Sequence, residues 1–149
     1  MLDEGDDAPE ITAANQDGET VTLDFSEPTV LYFYPRDDTP GCTVEAQQFD
    51  EELETYYDAG VEVFGVSTDD VESHEEFCSK YDLDFDLLAD TEGDVAAAFG
   101  VDTSGGAADR VTFVLDDGEV KEVYRGVKPD GHAREVLQDL LDEGIVTVE

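Results

Sequence analysis

The stretch YFYPRDDTPGCTVEAQQF, residues 32–49, carries the chain out of a strand pattern and into a helical one, with a cysteine at the junction. Val30 to Tyr34 form a short continuous apolar run rich in aromatic and β-branched residues, the pattern of a strand buried on both faces. Apolar side chains then recur at Ala46, Phe49, Leu53 and Tyr56, steps of three and four that predict one helix running to a stop at Gly60. Between the two patterns Thr39 suits an N-cap, Pro40 suits the first helical position, and Cys42 falls third in the helix. A sulfur placed there faces unpaired backbone N–H groups and the positive end of the helix dipole, both of which favour a thiolate. Cys42 also extends the stripe of Ala46 and Phe49 one turn back, so its spacing fits a small core hydrophobe equally well.

Outward from this junction the chain reads as alternating strands and helices. ITAANQDGETVTL holds an Asp17-Gly18 turn between two alternating runs and predicts an N-terminal hairpin. VEVFGVS predicts a second buried strand. DVESHEEFCSKYD predicts a helix whose apolar positions are Val71, His74, Phe77, Cys78 and Tyr81, with His74 at the edge of the stripe. A short FDLLAD strand and a small helix around GDVAAAFG follow. RVTFVLDDGEVKEVYRG predicts a hairpin around Asp117 and Gly118, and PDGHAREVLQDLLDEG a closing helix with Ala133, Val136, Leu137, Leu140 and Leu141 on one face. A βαβ unit followed by a hairpin and a terminal helix is the chain order of a thioredoxin-like α/β fold, a central mixed sheet flanked by helices. Its 149 residues, 40% of them apolar, fit one domain spanning 1–149.

The charge balance narrows the partners. Asp and Glu number 41 against 7 Lys and Arg, a formal net charge of −34. Nucleic acid and anionic membranes are excluded as expected partners. The acids are spread between well-formed apolar segments, which argues for a folded protein with an acidic surface rather than a disordered tail. Such a surface repels itself in dilute buffer, and at about 1 M salt the Debye length falls to about 3 Å, so a salt-loving host is expected. MLDEGDDAPE carries no basic n-region and no apolar run follows it, which leads to the expectation of a soluble, cytoplasmic protein. Two cysteines are too few for a secreted disulfide scaffold and leave core residues, a redox pair or a metal site.

PRDDTPGC, residues 35–42, matches the P-x-x-x-T-x-x-C signature of peroxiredoxins, and PGCTVEA with Glu45 resembles the branch of bacterioferritin comigratory protein and peroxiredoxin Q. GDDAPEITAANQDGETVTL, TVLYFYP, GVSTDD, LLAD, RVTFVLDDGEV and VKPDGHAREVL resemble that branch in order and spacing over nearly the whole chain. The resemblance implies a thioredoxin fold and thiol-dependent reduction of hydrogen peroxide and organic hydroperoxides, with no cofactor or metal. It gives Cys42 the peroxidatic role, Thr39 the peroxide-orienting hydroxyl, Pro35 the lid over the thiolate, and Arg110 the guanidinium beside the sulfur. Thiolate attack moves negative charge from sulfur to oxygen, and fixed donors can follow that charge without reorganising. Arg110 contributes a permanent charge worth roughly 4 kcal/mol at ~4 Å and an effective dielectric near 20. Asp37 and Asp38 pull the other way but are expected to face solvent, where salt screens them.

The chain departs from the branch at Gln47, five residues after Cys42, where many members carry a resolving cysteine. Cys78 on the next helix is then the implied resolving thiol, an arrangement some members of the branch resemble; a buried core cysteine is the alternative. The implied partners are a hydroperoxide and a thioredoxin- or glutaredoxin-like reductant, and a monomer or at most a weak dimer is expected. Resolution through Cys78 would require the first turn after Cys42 and the last turn around Cys78 to unwind, with Gly41 as a hinge. Two rival chemistries fit less well. A thioredoxin-like disulfide reductase needs a C-x-x-C pair where this chain has Glu45, and a zinc set of Cys42, His74, Cys78 and His132 has the wrong spacing between ligand pairs.

Overall fold

A computed structural model of the chain describes residues 1–145. Its strands are β1 (Ile11–Ala14), β2 (Thr20–Leu23), β3 (Thr29–Phe33), β4 (Glu62–Ser67), β5 (Asp86–Ala89), β6 (Val111–Asp116) and β7 (Glu119–Tyr124). They form one sheet in the order β2-β1-β5-β4-β3-β6-β7. The three most fully buried strands, β3, β4 and β6, occupy adjacent positions in the sheet, with β3 parallel to β4 and antiparallel to β6. The predicted N-terminal hairpin forms the edge of the sheet beyond β5, Ile11 pairing with Leu23 and Ala14 with Thr20.

Alternation along the strands divides the core in two. Val30 and Tyr32 point to one face, where they meet Ala46, Phe49, Phe77, Val136 and Leu140 from the helices α1 (Pro40–Glu51), α3 (Val71–Tyr81) and α5 (His132–Asp142). Leu31 and Phe33 point to the other face, against Val95 and Phe99 of α4 (Asp94–Phe99). Both cysteines belong to the first of these cores. Tyr32 stacks on Phe49 with ring centroids 4.5 Å apart, so the strand and helix flanking the Cys42 junction are locked together by their own aromatic residues.

The helix predicted to open at Pro40 and run to a stop at Gly60 does open there but is two segments, α1 and α2 (Leu53–Asp58). The interruption is one residue, Glu52, whose ψ of 0° leaves regular helix geometry while its N–H still donates to the Gln48 carbonyl at 3.1 Å. Ala46, Phe49, Leu53 and Tyr56 therefore stay on one buried face across the break. Leu141, expected on the inner face of α5, is exposed; Leu140 fills that place. Among the described residues no helix is long and apolar enough to cross a membrane.

Candidate active site

The loop between β3 and α1 leaves the sheet beyond the carboxyl ends of the parallel strands β3 and β4, where α/β sheets place their sites. Tyr34 N–H donates to the Val66 carbonyl at 3.0 Å and fixes the departure. Pro40 opens α1 and Cys42 lies in its first turn, 1% exposed, with a backbone N–H that has no carbonyl one turn back in the helix. Thr39 occupies the N-cap position with extended backbone, but its hydroxyl donates to the Arg36 carbonyl at 3.1 Å and makes no capping hydrogen bond. The first turn is thus uncapped by a side chain.

Arg110, immediately before β6, brings its Nη2 to 3.3 Å from Cys42 Sγ and its Nη1 to 2.6 Å from Glu45 Oε1. Cys42 and Glu45 lie three apart on α1, so both face the same guanidinium. Burial works against the Arg110 charge, but the neighbouring Glu45 and Cys42 outweigh it and hold the group above its usual value. Burial pushes the Glu45 carboxyl up from 4.5 to about 7, with Arg110 opposing the rise. Glu45 Oε2 is buried without a partner. This carboxyl holds its proton more tightly in the folded protein than in the unfolded chain. Its contribution to stability is therefore full below about 4.5 and lost as pH rises through about 7. Glu45→Gln should gain roughly 2–3 kcal/mol on the parent protein between pH 5 and pH 8, measured by denaturant unfolding at fixed molar salt. A difference independent of pH would contradict this.

Gly41 leaves room for this arrangement rather than only a hinge. A Cβ at that position would lie 3.3 Å from Arg110 Nη2 and 3.4 Å from Pro129 Cγ. Pro129 belongs to the loop before α5, which Gln48 ties to α1: its Nε2 donates to Asp130 Oδ1 at 2.7 Å and its Oε1 accepts from Gly131 N–H at 2.6 Å. The roles of Gln48 and Pro129 were not read from the sequence, because each depends on contacts about eighty residues away in the chain. Pro35 is half-buried at the loop entrance, close in sequence to Thr39 and Cys42.

Asp37 does not face solvent. Its carboxylate is buried and accepts from the Tyr34 hydroxyl at 2.5 Å, from Ser73 Oγ at 2.7 Å and from His74 Nδ1 at 2.7 Å. Three donors supply what water would otherwise provide, which makes burial of the acid tolerable. His74 is fully buried rather than at the edge of the apolar stripe, because its Nε2 has the Leu88 carbonyl at 3.0 Å. Asp38 is exposed as expected, accepting from Lys80 Nζ at 2.8 Å and the Tyr81 hydroxyl at 2.6 Å. These contacts hold its carboxyl below the usual range.

Cys78 lies on α3, 8% exposed and in the same core as Cys42, and both thiols are free. Burial, with the charge of Asp37 next, pushes the Cys78 thiol up to about 12. His132 opens α5, near the start of the last helix as read from the sequence, and its Nε2 lies 2.8 Å from Thr112 Oγ1. Burial foremost, with the charge of Arg110, pushes it down to about 4. Among the described residues no group of three or more His, Cys, Asp or Glu is arranged to hold a metal ion.

Comparisons with known proteins give the family. Residues 4–123 match the AhpC/TSA family. The chain is 43% identical to the chloroplast peroxiredoxin Q of Triticum aestivum over 92% of its own length and 66% of that protein's. It is 38% identical to a bcp peroxiredoxin of Coxiella burnetii, with 91% of this chain and 97% of that one covered. The solved bacterioferritin comigratory protein of Xanthomonas campestris, studied for its alkyl peroxide reduction activity, superposes with a TM-score of 0.82 at 34% identity, covering 89% of this chain and 91% of that one. A cysteine held at a helix start by an arginine, on a thioredoxin-like sheet and in a chain this close to those relatives, leads to one family: the chain belongs to the peroxiredoxins, the thiol peroxidases of the AhpC/TSA family, in the branch of peroxiredoxin Q and bacterioferritin comigratory protein.

Proposed function

We propose that Cys42 is the peroxidatic nucleophile for hydrogen peroxide and organic hydroperoxides and that Cys78 resolves it through an internal disulfide. The observation that carries the reading is the 3.3 Å contact of Arg110 with the Cys42 sulfur. The thiolate attacks one peroxide oxygen, the S–O bond forms as the O–O bond breaks, and the other oxygen leaves as water or alcohol after taking a proton. Arg110 and the first-turn N–H groups stabilise charge on the sulfur and then on the departing oxygen. Thr39, whose hydrogen is engaged by Arg36, offers its lone pairs to the peroxide O–H. Pro35 shields the sulfur from water.

The sulfenic acid then condenses with Cys78: the sulfurs bond, the S–O bond breaks, and the hydroxyl leaves as water with the Cys78 proton. A thioredoxin- or glutaredoxin-like dithiol returns both thiols, a demand that a reducing compartment such as the cytoplasm meets, and a disulfide within one chain lets a monomer complete the cycle. Cys78→Ser should react with the first equivalent of peroxide at the parent rate, then stall with a thioredoxin reductant and proceed to sulfinic acid as a second hydroperoxide oxidises the sulfenate. If Cys78→Ser turns over as fast as the parent, resolution belongs to an outside thiol instead.

A further inference from the structure

Cys78 lies on α3 between two holds, and both come from the loop that precedes Cys42. Asp37 grips Ser73 and His74, five and four residues before Cys78. Asp38 grips Lys80 and Tyr81, two and three residues after it. Asp37 N–H donates in turn to Asp69 Oδ2 at 2.8 Å, so the loop is also tied to the turn that starts α3. Asp38 sits at φ 57°, a left-handed conformation uncommon for a residue with a Cβ, and its two α3 partners hold its carboxylate in place. The buried Asp37 hold is the stronger arm; the Asp38–Lys80 pair is exposed and weaker.

We propose that Asp37 and Asp38 form a clasp that keeps Cys78 seated in α3 while Cys42 meets peroxide, and that release of the clasp sets the rate of disulfide closure. The inference rests on Cys78 being the resolving thiol. Asp37 and Asp38 stand five and four residues ahead of Cys42, so unwinding the first turn of α1 pulls on both holds at once. The opening around the sulfenic acid and the opening around Cys78 become one event. A thiol buried in a closed helix beside the Asp37 carboxylate is a poor nucleophile, and the same release that frees its backbone removes it from that environment. Closed, the site keeps its peroxide-reactive geometry; open, it forms the bond between the two sulfurs and sheds the sulfenic oxygen as water. The clasp therefore also sets how long the sulfenate is exposed to a second hydroperoxide.

The test uses Ser73→Ala/Tyr81→Phe, which removes one hydroxyl from each hold and keeps the aromatic ring that packs on Phe77. Three quantities are read: the rate of Cys42 oxidation, the rate of disulfide closure by rapid quench and alkylation, and amide exchange across residues 74–81 of the reduced protein. Oxidation should stay within about twofold, while closure and exchange each quicken by roughly tenfold, the scale of losing hydrogen bonds to charged groups. The fraction driven to sulfinic acid by excess peroxide should fall accordingly. Closure at the parent rate overturns the clasp, whether or not exchange quickens, and so does equal slowing of oxidation and closure, which is what a purely structural role produces. If the double variant melts well below the parent, Tyr81→Phe alone is measured against the same criteria with a smaller expected gain. A parent protein that forms no Cys42–Cys78 disulfide refutes the resolving role itself, and that result is obtained before any variant is made.

Discussion

Cys42→Ser is expected to lose peroxide turnover by roughly 10⁴-fold or more while keeping its fold. Hydroxyl and thiol are close in size, and the position is a first-turn site in a packed core, so far-ultraviolet circular dichroism and melting temperature should change little. The reaction, however, needs an anionic nucleophile, and a serine hydroxyl is not ionised at neutral pH by a helix start and one guanidinium. Arg110→Ala should retain the nucleophile and lose roughly 10²–10³ in the oxidation step, the usual loss for one fixed donor at a developing charge. Stopped-flow oxidation at the parent rate in either variant would sink the assignment of the site.

Dialysis from about 3 M KCl into about 0.05 M KCl should unfold the protein cooperatively, and return to molar salt should refold it. A charge of −34 on one small sheet-and-helix unit has only seven basic side chains to oppose it. Some of those are already committed to local pairs: Arg110 to Glu45, Arg134 to Glu52, Lys80 to Asp38 and Arg125 to Asp3. The remaining acids repel over a Debye length that exceeds about 10 Å in dilute salt and shrinks to about 3 Å at 1 M. Excluded salt also strengthens apolar burial. Circular dichroism that is unchanged across this range would remove the halophilic reading.

The junction at residues 32–49 was legible because its information is local: an apolar run, a proline at the first helical position and a three-four repeat each act within a few residues. The family motif added Arg110, which spacing alone does not point to. What escaped the sequence depends on contacts far along the chain. Asp37 looks like a solvent acid until Ser73 and His74, thirty-six and thirty-seven residues on, are folded against it. Glu45 was read as a motif residue only; its pairing with Arg110 spans sixty-five positions. A signal for the Asp37 contact was nonetheless present. His74 stood on an otherwise apolar stripe, and a buried histidine needs partners for both ring nitrogens, one of which the acidic loop supplies. The one-residue break at Glu52 left no trace in the periodicity because the buried face continues through it.

The most direct measurement is intact mass with peptide mapping after one equivalent of hydroperoxide, with free thiols alkylated under denaturing conditions. The account predicts a monomer lighter by two hydrogens, no alkylated cysteine, and a cross-linked peptide pair carrying Cys42 and Cys78. A protein that gains one oxygen at Cys42 and shows Cys78 fully alkylated, or one joined to a second chain through Cys42, would contradict it.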